Sequence, residues 1–400
     1  MPANQDAGET VFEQAARVFE AWPDAETGRR VLRLHRRGAD AGGSVWGTQY
    51  HQFPCFLDGG RRVVLNRSLP AGDETTAAVF VLDLTTGEIE TPFPVWARVN
   101  DVNADTGLAC YQTLPEEGGR AGIWDIRRGC DVAELAGEAG GALNCASLLS
   151  DGRRAMAFFH KGQPHRERVV SRHVLFGVDE APELVLEMDG AFCSHIQQCP
   201  TDPELYTYDR WPAPTKDGVD QVLRLRRLDG SMDEVVPLND EAARPAVTLG
   251  SRDHYVWTPD GKWIVSYLCM DPFEFDDPNF NHYPLQWYLS ATDWRTGEDL
   301  GAAYPEKRWG GHMQVTPDSK HIITSGAPGY DRLLAIDIEG LREGWNERVI
   351  CGYPKTEESE SMLGPFAYPF VLPDCSGVIF SAGWPGADHG VYLAEWPREW

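Results

Sequence analysis

Three histidines recur at one position of a repeated unit: His195, His254 and His312. Each opens a short apolar segment that leads into a turn containing proline. Imidazole exchanges protons near neutral pH and binds divalent metals, so three such groups facing one cavity would support general acid–base catalysis or a shared metal ion. A lone histidine on a strand is more often a hydrogen-bonded structural residue, and this alternative stays open for each of the three.

The unit that carries these histidines consists of four short strands joined by tight turns. Its landmark turns recur at roughly the 40 to 50 residue period of β-propeller blades. They fall at Asp58, Asp105, Asp151, Pro203, Asp260, Asp318 and Asp374. The pattern predicts an all-β fold, a seven-bladed β-propeller, with helices nearly absent.

The two ends of the chain complement each other in this arrangement. Six units contain four strands each and the seventh contains three, while residues 29–37 alternate as one further strand. We therefore predict that this N-terminal strand closes the last blade, which removes the open edge of the ring. Residues 1–22 are predicted to be an N-terminal extension with a short helix, and residues 23–400 a single propeller domain.

The innermost strand of each blade lines the central channel, so these strands should supply any site. Their polar residues are Tyr50 and His51, Arg98 and Asn100, Asn144, His195 with Gln197 and Gln198, Arg252 with His254, His312 with Gln314, and Tyr368. Polar and titratable groups that converge on one channel are typical of a binding or catalytic site. Arg98 and Arg252 are candidates to bind a carboxylate, with blade-to-blade salt bridges as the alternative. Trp257 is a candidate to stack on a sugar, with blade packing as the alternative.

Composition limits the partners. The net charge is −25, which opposes binding to nucleic acid and to anionic membrane surfaces. No stretch approaches eighteen consecutive apolar residues, and no secretory signal is visible at the N-terminus. The nine cysteines lack CxxC spacing, which is typical of reduced thiols in a cytoplasmic protein.

Several segments resemble the oligogalacturonate lyases, a family of cytoplasmic, pectin-degrading seven-bladed propellers. Residues 19–34 contain Phe-Glu, Asp-x-Glu-Thr-Gly and Val-x-Arg-Leu, Cys55-Phe56 precedes the first Asp-Gly turn, and the three histidine strands follow. The resemblance covers nearly the whole chain. It implies β-elimination on a short uronate oligosaccharide, in which a base removes the C5 proton, the C4–O bond breaks and an unsaturated sugar results.

The resemblance also implies roles for particular residues. His254 matches the base, and His312 matches a ligand of a divalent, manganese-like cation that is completed by a Gln and two His on blade seven. In this chain Phe366 and Tyr368 occupy those two His positions, and Leu363 lies near the Gln position. The metal ligand set of the family is therefore incomplete in this sequence.

The catalytic arginine of the family is also absent. Its position falls close to Val222, with Arg210 or Arg224 as possible substitutes. A composite metal site built from His195, His254 and His312 is a further alternative, in which His312 and His195 are the metal ligands carried forward.

Two hypotheses follow. In the first, the protein is a lyase acting on a small anionic carbohydrate, with His254 as base and Tyr368 and Arg210 assisting. The substrate would be bound by Arg98, Arg252, His195, His51, Gln197 and Trp257. In the second, a catalytically altered propeller serves as a ligand-binding or protein-interaction module. The loop-like segments 271–284 and 352–363 are candidates for substrate contact over the channel.

Overall fold

The protein folds into seven antiparallel sheets that follow one another in chain order, in a computed structural model of the 400-residue chain. The structure describes residues 9–34, 45–48, 54–68, 78–93, 97–113, 119–137, 141–162, 167–212, 222–237, 252–270, 286–307, 312–325, 332–352, 367–384, 387–397 and 400. The predicted seven-bladed β-propeller is confirmed.

The first half of the chain forms the N-terminal elements and blades one to three. Helix α1 spans Val11–Ala15, and strands β1 and β2 span Glu20–Pro23 and Arg30–Arg33. Blade one contains β3 (Val45–Gly47), β4 (Phe56–Leu57), β5 (Arg62–Ser68), β6 (Ala78–Asp83) and β7 (Ile89–Glu90), with a 3₁₀ turn at Asp58–Gly60. Blade two contains β8 (Ala97–Asn103), β9 (Leu108–Thr113), β10 (Arg120–Asp125) and β11 (Cys130–Ala136). Blade three contains β12 (Ala142–Leu148), β13 (Arg154–Lys161), β14 (Val170–Gly177) and β15 (Glu180–Asp189).

The second half forms blades four to seven. Blade four contains β16 (Ala191–Cys199), β17 (Asp202–Pro212), β18 (Val222–Arg227) and β19 (Asp233–Val235). Blade five contains β20 (Arg252–Trp257), β21 (Trp263–Cys269), β22 (Trp287–Asp293) and β23 (Asp299–Ala303). Blade six contains β24 (Met313–Val315), β25 (His321–Thr324), β26 (Arg332–Asp337) and β27 (Arg348–Gly352), with a 3₁₀ turn at Glu339–Arg342. Blade seven contains β28 (Phe370–Val371), β29 (Gly377–Trp384) and β30 (Ala387–Glu395).

The ring closes through the N-terminal strand, as the sequence predicts. β2 pairs with β30 in antiparallel register, with Val31 opposite Ala394 and Leu32 opposite Leu393. β1 then adds a fifth strand outside β2, which the sequence pattern did not indicate. This pairing covers the edge of β30 and joins the two ends of the chain in one sheet.

The N-terminal helix is shorter than the amphipathic pattern of residues 9–21 indicates. Thr10 caps α1 by accepting a hydrogen bond from the Glu13 amide, and Phe12 is buried in the same apolar cluster as Leu393 of blade seven. The predicted boundary between residues 22 and 23 stays a prediction, and it falls within β1. No helix among the described residues is both long and apolar enough to span a bilayer.

The blades are held together by strands that are apolar on both faces. Every residue of β21 and of β22 is buried, because each face of a blade packs against a neighbouring blade. Val265, Leu289 and Ile336 meet in one such cluster between blades five and six. Full burial of each such aliphatic side chain stabilises the folded state by roughly 1.5–3 kcal/mol.

The innermost strand of blade one is interrupted. β3 pairs with the end of β5 and β4 pairs with its beginning, whereas the sequence predicts one strand over residues 50–56. Thr48, just after β3, donates its amide proton to the Ser381 hydroxyl at 2.9 Å, which links blade one to blade seven. The split strand therefore lies where the ring closes.

Candidate active site

Four innermost strands carry an irregularity at the same place. The pairing register shifts at Asn100 in β8, at Asn144 in β12, at His195 in β16 and at His254 in β20. His195 and His254 both adopt a left-handed backbone with φ of 49°. Such a conformation costs a non-glycine residue of order 1 kcal/mol or more, and it is concentrated at functional sites. The bulges put Asn100, His195 and His254 at equivalent positions of their strands.

Hydrogen bonds hold both the ring and the backbone of His195. Its Nδ1 lies 2.9 Å from Oδ2 of Asp209 and 3.2 Å from the Ser194 hydroxyl. The Tyr255 hydroxyl of blade five donates a hydrogen bond to the His195 carbonyl oxygen. The Asp209 side chain is only 1% exposed, whereas that of His195 is 34% exposed. One edge of the ring is therefore anchored inside blade four while another reaches the channel.

His254, His312 and Tyr368 form a continuous aromatic contact across blades five, six and seven. The ring centroids of His254 and His312 are 4.3 Å apart, and those of His312 and Tyr368 are 4.5 Å apart. His312 is buried with 4% exposure, and its amide donates to the Ser325 hydroxyl. The sequence prediction that the repeated histidines share one cavity is therefore consistent with their contacts.

Burial and neighbouring charges give two members of this cluster shifted pKa values. Burial lowers the pKa of His312 well below its usual range, and the nearby His254 and His195 lower it further. Burial also raises the pKa of Tyr368, while the Arg98 guanidinium of blade two partly opposes that rise. His312 is thus neutral near pH 7 and Tyr368 is a protonated phenol. The same interactions place Arg98 and His195 near the cluster.

The group combines proton acceptors, a proton donor and a cation at one end of the channel. Imidazole is a base for work near neutral pH, and a desolvated phenol can donate a proton to a leaving oxygen. Arg98 is exposed, so its guanidinium is available to a carboxylate of a ligand. This arrangement suits proton abstraction next to a carboxylate.

The residues present do not fit the divalent metal site that the resemblance implies. Tyr368 provides a phenol where the metal site of the family would need an imidazole. Within the described part of the chain, no three His, Cys, Asp or Glu side chains come together in a metal-binding group. Phe366 and Leu363, outside the described residues, have no donor atoms in their side chains. Among the described residues, the expected ligands His312 and His195 thus have no third and fourth donor of these types beside them.

Two predicted binding residues lie further along the channel. A cavity of about 340 Å³ opens where the innermost strands end, and it is lined by Gln197, Trp257 and Gln314 but by none of the three histidines. Trp257 is 5% exposed and donates its indole proton to the Thr207 hydroxyl at 3.0 Å. Gln197 donates to the Tyr255 carbonyl oxygen at 2.6 Å. Their substrate-binding roles stay predictions.

The arginines proposed as substitutes lie away from the imidazoles. Arg210 is exposed, and strand alternation turns it to the face of β17 opposite Asp209. Arg224 binds Asp233 through its Nε at 2.7 Å, which commits its guanidinium to an ion pair. The catalytic role of Arg210 stays a prediction.

The remaining predicted features lie outside what the structure describes. They are His51, the side chain of Arg252, residues 271–284 and residues 353–363. Conversely, sequence reasoning missed Asp209, the partner of His195. Counting through the hairpin places Asp209 opposite Ser194, so a pairing argument could have found it.

Solved structures with the same architecture include oligogalacturonate lyases. One described as an oligogalacturonate lyase in complex with manganese matches with a TM-score of 0.72 and 15% identity, over 96% of this chain and 97% of that one. An oligogalacturonate lyase from Vibrio parahaemolyticus matches with 0.72 and 15%, over 95% and 97%. The β-propeller domain of the Trilobed protease from Pyrococcus furiosus matches with 0.52 and 10%, over 88% and 96%.

These matches establish a shared fold. The likeness to the lyases is the stronger one, so the resemblance indicated by the sequence segments is confirmed at the level of the propeller. No protein-family profile and no curated protein sequence matches the chain.

Proposed function

We propose that this protein is a lyase that cleaves a short, uronate-containing oligosaccharide by β-elimination. The observation that carries the proposal is the gathering of imidazole, phenol and guanidinium groups at one end of the channel. The fold shared with oligogalacturonate lyases supports the same chemistry. An oligogalacturonate is accordingly the substrate to test first.

The reaction makes three demands on the protein. A base must take the C5 proton, a cation must stabilise the negative charge that develops on the uronate carboxylate, and an acid must protonate the oxygen that leaves C4. An imidazole supplies the base, Arg98 the cation and Tyr368 the acid. No step in this scheme passes through a metal ion.

The partner and the compartment follow from the same reasoning. A small anionic carbohydrate can approach Arg98 even though the protein's net charge is −25, because the groups lining a site set its local field. A cytoplasmic location is part of the proposal. It fits the eight free cysteines found among the described residues, six of them buried.

The test is an elimination assay on purified protein. Oligogalacturonates and other uronate oligomers are incubated with the protein, and the ultraviolet absorbance of the unsaturated product is followed. We expect activity on at least one of them and none in a His195→Ala/His254→Ala double variant, which removes both partly exposed imidazoles. The absence of product from every uronate, or full activity in the double variant, would contradict the proposal.

A further inference from the structure

The contact between His195 and Asp209 fixes which nitrogen of the ring is basic. A carboxylate only accepts hydrogen bonds, so the proton of the neutral ring must sit on Nδ1, 2.9 Å from Oδ2 of Asp209. The lone pair is therefore on Nε2. The Asp209 side chain is only 1% exposed, whereas the His195 side chain as a whole is 34% exposed.

The same contact stabilises the ring after it has gained a proton. An imidazolium beside a buried carboxylate is favoured by their mutual attraction, which is stronger where water is excluded. His254 stacks against the buried imidazole of His312, whose pKa is lowered by both His254 and His195. What favours a proton on His195 is therefore the carboxylate bonded to its ring.

The placement of His195 around the ring also suits the reaction. His195 is on blade four and Tyr368 is on blade seven. The two residues are therefore three blades apart in a ring of seven, which is almost half a turn around the propeller axis. In a galacturonate residue the C5 hydrogen and the C4 oxygen leave from opposite faces of the sugar. A base and an acid on nearly opposite walls of the channel match that stereochemistry better than His254, which is one blade closer to Tyr368.

We propose that His195 is the proton acceptor of the site and that Asp209 is the residue that positions and stabilises it; this inference rests on the proposed lyase function. Nε2 of His195 takes the C5 proton, and the electron pair of the C5–H bond becomes the C4–C5 double bond. The C4–O bond breaks with its electron pair on the oxygen, which takes the proton of the Tyr368 hydroxyl. Water then returns the proton from the imidazolium to the phenolate, which restores both residues.

The decisive variant is Asp209→Asn, which keeps the size of the side chain and removes its charge. We expect kcat on an oligogalacturonate to fall roughly 10²-fold, less than on loss of the base itself, with little change in KM, since the lost interaction forms as charge develops on the ring. Asp24→Asn is the matched control. Asp24 is a buried carboxylate that accepts hydrogen bonds from the Thr27 and Gly352 amides beside the outermost strand of blade seven, so the kcat of this variant should stay at the wild-type value.

A second readout does not need activity. The NMR titration of the His195 ring should give a lower pKa in Asp209→Asn than in the wild type, because the stabilising carboxylate is gone. If Asp209→Asn does not fold, His195→Gln, which retains an N–H donor for Asp209, should show the loss of kcat instead. An unchanged ring pKa, or wild-type kcat in the variant that folds, would overturn the assignment. An inactive wild type whose His195 pKa still falls in Asp209→Asn would refute the lyase function and leave the pairing of the two residues intact.

Discussion

Blades four and five present the same histidine in two different surroundings. His195 and His254 lie at equivalent bulges with the same left-handed φ of 49°. His195 is bonded to the carboxylate of Asp209, whereas His254 stacks against the buried imidazole of His312. The repeat therefore fixes the backbone position of each histidine. The group that contacts its ring, from a neighbouring strand or blade, determines how well the ring holds a proton.

These different surroundings predict different roles for His195 and His254 in the site. The carboxylate makes His195 suited to accept and hold a proton, whereas burial keeps the His312 ring neutral beside His254. Because the backbone positions are alike, the two blades can be tested with identical substitutions. The difference in outcome then reports on their partners.

The largest expected effect is on turnover in His195→Gln. We expect kcat to fall by about 10³-fold, within the range of general base catalysis, because the proton acceptor is lost. His254→Gln, the matched variant, should lower kcat/KM by about 10-fold or less, as expected for a lost substrate contact. Steady-state kinetics on an oligogalacturonate measures both, and the reverse ranking would move the base to blade five.

The next effect concerns the acid at the far end of the aromatic contact. Tyr368→Phe keeps the ring against His312 and removes the proton donor, so kcat should fall by about 10²-fold. In the wild type, burial raises the pKa of Tyr368 above its usual 10.0, so activity should not decline through loss of this proton up to that pH. A pH–rate profile checks this, and a loss of activity with an apparent pKa well below 10.0 would point to a different donor.

The third prediction concerns Asp101, another buried carboxylate, and its effect on the stability of the fold. The pKa of Asp101 is raised to about 6 because burial disfavours its charged form. The hydrogen bonds from Ser147 and Leu148 lower this pKa, but by less than burial raises it. Between pH 3.8 and pH 6 the folded state therefore holds a proton that the unfolded state has released, so stability falls across this window and stays level above it. Asp101→Asn should therefore raise the free energy of unfolding near pH 8 by up to about 3 kcal/mol, and by less near pH 5. Urea unfolding at the two pH values measures it; equal changes at both would mean that the carboxylate is not the cause.

The smallest effect is a change in the acid stability of the fold. Because the pKa of His312 is lowered in the folded state, the unfolded chain takes up a proton as the pH falls through about 6.5 while the folded chain does not. Stability is fully present above that pH and is lost below it, at about 1.4 kcal/mol per pH unit from this group. His312→Gln should lose less stability than the wild type between pH 7 and pH 5 in thermal unfolding. Identical slopes for the two proteins would place His312 in contact with solvent.

The fold was predictable because its signal is periodic. Turns such as Asp260 and Asp318 recur at blade spacing, and the spare strand near Leu32 matched the missing strand of the last blade. The fifth strand β1 and the split of β3 from β4 were not predictable. Both are short segments whose pairing depends on the closure of the ring rather than on their own alternation.

The site was predictable in part for the same reason. Repeated placement identified His195, His254 and His312, but not the partner that distinguishes them. The resemblance placed the catalytic arginine close to Val222, with Arg210 or Arg224 as possible substitutes. Arg210 is one residue beyond Asp209, and a shift of one residue moves a side chain to the other face of a strand. Because the bulge at His195 changes the pairing register, the partner of the ring is found by counting pairs through the hairpin, which sets Asp209 opposite Ser194, rather than by alternation along one strand.

The most direct test of the central claim is mass spectrometry of the products formed from a defined oligogalacturonate. Elimination at the imidazole end of the channel predicts two fragments whose masses add up to that of the substrate, one of them unsaturated. Fragments that together carry one added water would show hydrolysis, and an uncut substrate would show no cleavage; either result would contradict the account.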